Sequence, residues 1–549
     1  MTNPLLTMDS LPPFSQIQPD QVQPAVTQAI ADCKQKIEDV LAQKEPHTWD
    51  SLIAPLEEVN DRLSRIWSPI SHLNAVQNSE ALRAAHDACL PLLSEFQTYV
   101  GQHEGLYQAY LALSESDDFP RLDDAQRKEI LNTLRDFRLS GIGLPAEAQQ
   151  RYGEIQARLS ELASRFSNNV LDATQGWHKL VTDEAELAGL PASAQAAARQ
   201  MAELKGKEGW LFTLDIPSYL PVMMYADSRA LRAELYEAFT TRASDQGPNA
   251  GKWDNSAIMT ELLTLRRELA RLLGFANYAE LSLATKMADK PEQVVEFLTD
   301  LAAKSLPQGK AELEEIRAFA AEQHGQDELA AWDLAYYAEK LKQHKFSVSD
   351  EQLRPYFPAG RVVKGLFEVV KRVFGMKVRE RLGIDTWHPD VRFYDIFDAD
   401  DELRGSFYLD LYAREHKQGG AWMDVCLGRR YRQDGSLQKP VAYLTCNFNG
   451  PVDGKPALFT HNEVVTLFHE FGHGIHHMLT RIDVAGVAGI NGVAWDAVEL
   501  PSQFLENWCW ESEALAFISG HHETGEPLPA DLLEKMLTAR NFQAAMQML

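Results

Sequence analysis

The chain has 549 residues, of which 45% are hydrophobic and 24% charged, and its formal net charge is −26. This composition is ordinary for a globular protein, and the length allows two to four domains or one large composite unit. The negative charge argues against nucleic acid and anionic membrane surfaces as partners, because both require a basic face. No run of about eighteen apolar residues occurs, so no membrane-spanning helix is expected.

The first residues and the cysteines predict a cytoplasmic location. Residues 1–20 lack the basic segment followed by an apolar segment that marks a signal peptide. The five cysteines are few, odd in number and far apart, and no CxxC pair occurs. Neither a disulfide framework nor a thiolate zinc site is therefore expected, and a reducing cytoplasm is the simplest compartment.

Helices dominate the prediction from about residue 20 to 345. Apolar residues recur at three- and four-residue spacing in segments such as 85–113 and 151–174. Clusters of turn-forming residues, for example at 140–145, separate the helices. No fixed-period repeat and no low-complexity linker occurs, so the helices should pack into one continuous body.

Strand-like patterns appear after about residue 380. Residues 391–422 are rich in aromatic and branched side chains on both sides of a predicted hairpin turn, DADDELRG. A further strand is predicted within residues 440–451, where Asn-Gly-Pro ends it. A small sheet should thus precede the next helix, and helical periodicity returns in residues 501–520.

A histidine-rich segment, residues 456–479, contains a metal-binding pattern. Thr460 followed three residues later by Glu463 is a capping box, which predicts a helix that begins near His461. Apolar residues behind the cap, from Val464 to Ile475, predict that this helix is long and buried.

The helix carries the motif H-E-x-x-H at residues 469–473. His469 and His473 lie one turn apart on one face, close enough for both rings to bind one zinc ion. Glu470 is offset from both histidines and can reach a water molecule beside the metal. The spacing therefore predicts a hydrolytic zinc site.

His461, His476 and His477 are interpreted as flanking polar residues. His477 lies two turns from His469, roughly 12 Å along the axis, and this distance is too long for two bonds of about 2 Å to one ion. His477 could instead pair with His473, but Glu470 would then lose its place beside the water.

The spacing of the residues does not identify the third zinc ligand. A catalytic zinc usually takes three protein ligands and keeps one position for water. Residues 491–508 offer Glu499, Asp496 and Glu506, and a glutamate on a second helix would complete a His₂Glu set. An acid near a metal histidine is as often an acceptor for the outer ring N–H as it is a ligand.

The whole chain resembles the thimet oligopeptidase–neurolysin family of zinc peptidases. The residues that carry the resemblance include HEFGHGIHHML, ELPSQFLENW, SPISHLN, LSGIGLP, GGAWMD and PVAYLTCNFN. The resemblance implies that His469, His473 and Glu499 bind one Zn²⁺ per chain and that Glu470 is the general base.

The resemblance also implies a mainly α fold, with two elongated helical lobes of the zincin type. A small β-sheet beside the active-site helix and a deep substrate channel belong to this expectation. We divide the chain into an N-terminal helical domain, residues 1–155, and a helical metallopeptidase catalytic domain, residues 156–549.

The implied activity is zinc-dependent hydrolysis of short, unstructured oligopeptides by a cytoplasmic monomer. Its partners would be peptide substrates, with no nucleic acid and no membrane. Family members continue well past this point into a Gly- and Tyr-rich substrate loop, and nothing similar occurs in this sequence. A C-terminally truncated, catalytically impaired, zinc-stabilised peptide-binding fragment is therefore the alternative prediction.

Two other kinds of metal site compete with the hydrolytic zinc site as an interpretation of these residues. A di-iron carboxylate protein needs a second E-x-x-H motif, but only His473 has a glutamate three residues before it. A purely structural zinc would need a fourth protein ligand.

Either the strand within 440–451 or the one entering at GGAWM could present an edge to a peptide backbone.

Overall fold

The computed structural model describes residues 3–44 and 46–549. These residues form twenty α-helices and nine β-strands, so the chain is mainly helical, as predicted. The helices are α1 Pro19–Leu41, α2 Ala54–Val76, α3 Glu80–Gly101, α4 Glu104–Ser114, α5 Asp124–Leu139, α6 Ala146–Gln175, α7 Ala192–Leu204, α8 Ile216–Tyr225, α9 Arg229–Thr240, α10 Ser256–Leu272, α11 Tyr278–Leu283, α12 Pro291–His324, α13 Ala331–Phe346, α14 Asp350–Leu353, α15 Ala359–Phe374, α16 His461–Met478, α17 Leu500–Glu506, α18 Ser512–Ile518, α19 Ala530–Thr538 and α20 Ala544–Met548. The strands are β1 His178–Val181, β2 Trp210–Thr213, β3 Lys377–Glu380, β4 Arg392–Phe397, β5 Leu403–Tyr412, β6 Trp422–Leu427, β7 Arg430–Tyr431, β8 Leu437–Gln438 and β9 Val441–Phe448.

The main sheet has five strands in the order β3-β4-β5-β9-β6. β4 and β5 pair antiparallel across the predicted DADDELRG turn, and β9 occupies the strand predicted within residues 440–451. β5 and β9 run parallel, while β6 pairs antiparallel with β9, so the sheet is mixed. β9 is therefore internal, and β6 is one of the two edge strands of this sheet.

Both faces of the central strands are buried. Phe407 of β5 and Leu444 of β9 belong to the core that also contains residues of α15 and α16. Their neighbours Tyr408 and Tyr443 point the other way, into a core with residues of α1, α2 and α3. Strands covered on both faces read as continuous apolar runs, which explains why the pattern here is not a clean alternation.

One small hairpin interrupts the helical part of the chain. β1 and β2 pair antiparallel, from His178 opposite Thr213 to Val181 opposite Trp210. The sequence pattern did not indicate this pair, because strands of four residues are too short for a period of two to stand out.

The predicted division into domains at residues 155 and 156 stays a prediction, and helix α6 runs through that point. Over the described part of the chain, no helix combines the length and the apolar character needed to cross a bilayer. The histidine-rich helix α16 packs against the main sheet, and the two share one apolar core.

Candidate metal centre

Helix α16 forms as its sequence predicts. The side chain of Thr460 accepts a hydrogen bond from the Glu463 N–H at 3.1 Å, and the Glu463 carboxylate accepts one from the Thr460 N–H at 3.0 Å. This capping box satisfies two donors at the start of the helix. Phe468 and Phe471 are fully buried in the core that includes the sheet. The cap and the apolar face together fix which side of α16 is left for the polar residues.

His469, His473 and Glu499, here called the His–His–Glu group, converge at one point. Oε2 of Glu499 lies 3.1 Å from Nε2 of His469 and 3.2 Å from Nε2 of His473. The two imidazole rings have centroids 5.0 Å apart and planes at 81°. The structure therefore brings together the three residues that the family resemblance implied as ligands, two of which the helical spacing had already paired.

Glu499 reaches the histidines because α17 packs very closely against α16. A Cβ added to Gly472 would lie 2.5 Å from the carbonyl oxygen of Pro501 and 2.5 Å from Cα of Ser502. Only glycine admits the backbone of α17 at this distance. Ser502 then donates a hydrogen bond of 2.7 Å to Oε2 of Glu499, which orients the carboxylate.

The two other acids that competed with Glu499 have different partners. Glu506 accepts a hydrogen bond of 2.6 Å from Nδ1 of His469, on the side of the ring away from Glu499. The carboxylate of Asp496 accepts hydrogen bonds from the N–H groups of Met287 and Ala288, at 3.0 Å each. Glu506 is thus an acceptor for the outer ring nitrogen, and Asp496 links the segment before α17 to the one before α12.

Glu470 is buried beside the His–His–Glu group, with 6% of its surface exposed. Burial raises the pKa of Glu470 to about 7, with His469 opposing this shift and Glu499 adding to it. A bound cation would lower the pKa by stabilising the carboxylate. A carboxyl group poised in this way can exchange a proton near neutral pH.

The remaining histidines of α16 stand outside the group. His461 and His477 are both buried and hydrogen-bond to backbone carbonyls, those of Cys509 at 2.8 Å and Leu427 at 2.9 Å. His476 is half-buried. Their interpretation as non-ligands is consistent with these contacts, although two of the three are core residues rather than residues on a solvent face.

The donor set fits a zinc ion. Its three ligand atoms lie within 4.8 Å of one another, and the described residues add no fourth histidine, cysteine or carboxylate to the group. Ligands about 2 Å from a tetrahedral zinc lie roughly 3.3 Å apart, close to the distances between Glu499 and the two histidines. Burial lowers the pKa of His473, which keeps its ring in the neutral form that binds metals.

Sequence reasoning missed two residues that shape this group, Gly472 and Ser502. Glycine inside a helix that is otherwise apolar is a signal of close backbone approach. Serine three residues after a glutamate at a helix start is a signal of a side-chain contact across the first turn. Neither signal names the partner, because that depends on how α16 and α17 cross.

Models of known families match most of the chain. The model described as "Peptidase family M3" matches residues 222–549. The model described as "Neurolysin/Thimet oligopeptidase, N-terminal domain" matches residues 26–149. The two matches together include every residue of the His–His–Glu group and most of the N-terminal helices.

Individual proteins are similar over the full chain. Oligopeptidase A of Escherichia coli (strain K12) is 67% identical over 546 residues, which are 100% of this chain and 80% of that protein. Oligopeptidase A of Haemophilus influenzae is 66% identical over 547 residues, again 100% of this chain and 80% of that protein. The crystal structure of a putative oligoendopeptidase F from Bacillus anthracis aligns with a TM-score of 0.52 at 16% identity, covering 95% of this chain and 74% of that one, which supports the fold alone.

Proposed function

The chain belongs to peptidase family M3 and is a metalloendopeptidase, and we propose that it hydrolyses short, unstructured oligopeptides with zinc bound by His469, His473 and Glu499. The observation that carries this proposal is the convergence of both Nε2 atoms on one oxygen of Glu499, next to the buried carboxyl of Glu470. One zinc ion per chain fits these donors.

When bound, zinc supplies a Lewis acid that polarises the scissile carbonyl and lowers the pKa of a water molecule. The protein contributes the geometry: Glu506 holds the outer nitrogen of His469, and Ser502 holds the carboxylate of Glu499. Side chains oriented in this way keep the two Nε2 atoms and the carboxylate aimed at one point.

Glu470 acts as the general base and then as the general acid. Its carboxylate accepts a proton from the attacking water as the C–O bond forms at the scissile carbonyl. The same proton passes to the leaving nitrogen as the C–N bond breaks, so that the products are one carboxylic acid and one amine.

The outer edge of β6 is the strand edge proposed to bind the peptide backbone, ahead of Val425, whose carbonyl already accepts a hydrogen bond of 2.7 Å from Ser68 of α2. β9 is hydrogen-bonded on both sides, to β5 and to β6, whereas β6 has a neighbour on one side. Backbone hydrogen bonds to an edge strand are largely independent of side chains, so this mode suits an enzyme that accepts many sequences. The two-lobed shape with a deep channel, the cytoplasmic location and the monomeric state stay predictions from the family resemblance and the sequence.

Glu470→Gln tests the proposal. The amide cannot accept the proton, so cleavage of a quenched fluorescent peptide should fall by at least about 10²-fold, while zinc binding is kept. Glu513→Gln is the matched control, because Glu513 is an exposed glutamate of α18. A zinc chelator should abolish cleavage by the unaltered chain.

The outcomes separate the two candidate functions. Chelator-sensitive cleavage that disappears in Glu470→Gln supports the peptidase. Zinc-dependent peptide binding without cleavage by the unaltered chain would support the alternative of an impaired peptide-binding fragment. Cleavage by Glu470→Gln at the rate of the unaltered chain would refute the role of this glutamate.

A further inference from the structure

His477 contacts the end of the edge strand from within α16. Its imidazole is fully buried, one helical turn beyond His473. Nε2 lies 2.9 Å from the carbonyl oxygen of Leu427, the last residue of β6. A carbonyl only accepts, so Nε2 carries the proton and donates it. One histidine of the metal-binding helix is therefore tied to the strand proposed to bind the peptide backbone.

The other side of the same imidazole faces the loop that leads to Glu499. Gly489 has a φ of +62°, and a Cβ added there would lie 2.6 Å from Nδ1 of His477. The same Cβ would lie 2.8 Å from the carbonyl oxygen of His477. A residue with a side chain could not occupy this position without a shift, so the loop backbone rests directly on the ring.

The chemistry of the site is that of a neutral imidazole with one hydrogen bond. Nδ1 has no hydrogen-bond partner among residues 3–44 and 46–549. Burial lowers the pKa of His477 to about 4, with the hydrogen bond to Leu427 opposing this shift and the neighbouring His476 adding to it. An apolar side chain of similar size would avoid the cost of burying an unpartnered nitrogen. The histidine therefore contributes a directed contact with Leu427 rather than core packing alone.

We propose that His477 is a positioning residue, which holds the C-terminal end of β6 and the Gly489 loop in place relative to His469 and His473. The inference rests on the proposed peptidase function and adds to it a residue that orients the peptide without contacting it. Because the bond joins α16 directly to β6, a shift of the edge strand would move the peptide backbone against the metal ligands.

Two substitutions of His477 distinguish the effect of its N–H donor from the effect of its side-chain volume. His477→Leu keeps an apolar side chain of similar size but removes the N–H donor. His477→Gln keeps a donor close to the position of Nε2. In amide hydrogen exchange of the metal-free chain, the segment Trp422–Leu427 should exchange about tenfold faster in His477→Leu and within about threefold of the unaltered chain in His477→Gln.

His461→Leu is the matched control, because His461 is another buried histidine of α16 that donates to a backbone carbonyl, that of Cys509 at 2.8 Å. It should leave the exchange of β6 unchanged. If His477→Leu does not fold, His477→Asn replaces it, because its shorter amide does not reach the Leu427 carbonyl. Equal exchange of β6 in the Leu, Gln and unaltered chains would overturn the proposal.

Peptide binding gives the second readout, measured with a fluorescent peptide in the Glu470→Gln background with zinc bound. His477→Leu should weaken binding about tenfold, at an unchanged zinc content, whereas His477→Gln and His461→Leu should stay within about threefold of that background. Unchanged binding in His477→Leu would overturn the proposal if the unaltered chain cleaves peptides. If the unaltered chain neither binds nor cleaves any peptide, the proposed function fails, and the exchange of β6 still decides whether His477 positions the strand.

Discussion

In each imidazole of the His–His–Glu group, Nδ1 is the nitrogen that faces away from Glu499. The two Nδ1 atoms have different surroundings. Nδ1 of His469 donates to Glu506 over 2.6 Å. Nδ1 of His473 has no partner in the described chain. An acceptor on the outer nitrogen fixes the tautomer and the ring orientation and makes Nε2 a stronger ligand. His469 is therefore the better oriented of the two rings.

We expect Glu506→Gln to weaken zinc binding by about 10–100-fold. The neutral amide is a poorer acceptor for the His469 N–H, so the ring is oriented less firmly and its Nε2 is less basic. Competition with a chromophoric chelator measures the affinity. Glu511→Gln, which changes an exposed glutamate close by in the chain, should leave the affinity unchanged. An unaltered affinity in Glu506→Gln would show that this contact does not support the metal.

The crossing of α16 and α17 depends on a glycine. Gly472 stands between His469 and His473 in the chain, and the backbone of Pro501 and Ser502 lies directly over it. Gly474, two residues further along, would place a Cβ 3.2 Å from side-chain carbons of Leu444 and Met478, which are flexible ends. A glycine-to-alanine substitution would therefore clash with backbone atoms at Gly472, but only with flexible side chains at Gly474.

Gly472→Ala should push α17 away and move Glu499 from the histidines. Overpacking of this kind costs about 1–3 kcal/mol of unfolding free energy, and zinc affinity should fall with it. Gly474→Ala is the comparison, because alanine is otherwise favoured over glycine in a helix by roughly 0.5–1 kcal/mol. Urea unfolding and zinc titration of both variants test this. Equal zinc affinities would mean that the position of Glu499 does not depend on Gly472.

A buried polar cluster joins the N-terminal helices to the sheet. Lys417 donates to Oδ1 of Asp410 at 2.8 Å, and Arg414 binds the same carboxylate at 2.7 Å while donating to the Val76 carbonyl of α2 at 2.8 Å. His72 of α2 lies beside this cluster, with its ring stacked 3.8 Å from the ring of Tyr443 in β9. This cluster and the apolar core around it hold α2 against the sheet.

The neutral state of His72 predicts a loss of stability in acid. Burial lowers the pKa of His72 to about 3, with Asp410 opposing this shift and Lys417 and Arg414 adding to it. Between about pH 6.5 and pH 3 the unfolded chain binds a proton that the folded chain does not, so stability falls as the pH falls.

From pH 7 to pH 5 this group alone should lower the free energy of unfolding by about 2 kcal/mol. His72→Phe keeps an aromatic ring on Tyr443 but cannot titrate. Between pH 7 and pH 5 its free energy of unfolding should therefore fall by about 2 kcal/mol less than that of the unaltered chain. Urea unfolding at both pH values gives the comparison. Equal losses in the two chains would contradict a neutral His72 in the folded state.

Much of the fold and half of the candidate site follow from local sequence. The capping box of Thr460 and Glu463 and the apolar face behind it predict α16, because helix geometry depends on neighbours in the chain. The four-residue spacing of His469 and His473 places both rings on one face for the same reason. The hairpin of β4 and β5 follows from its turn residues. Local sequence is therefore enough to predict the helix, the histidine pair and the hairpin.

Spacing along the chain does not identify the acid that meets the histidines, because this depends on how two helices pack. Asp496, Glu499 and Glu506 are equivalent on spacing, and their roles depend on where α17 crosses α16. The close approach at Gly472 brings Glu499 to the inner nitrogens and Glu506 to the outer nitrogen of His469. The edge position of β6 and the contact of His477 with Leu427 also depend on strand order, which joins segments far apart in the chain. Local geometry fixes contacts within a helix, whereas contacts between elements are set by the packing of the whole core.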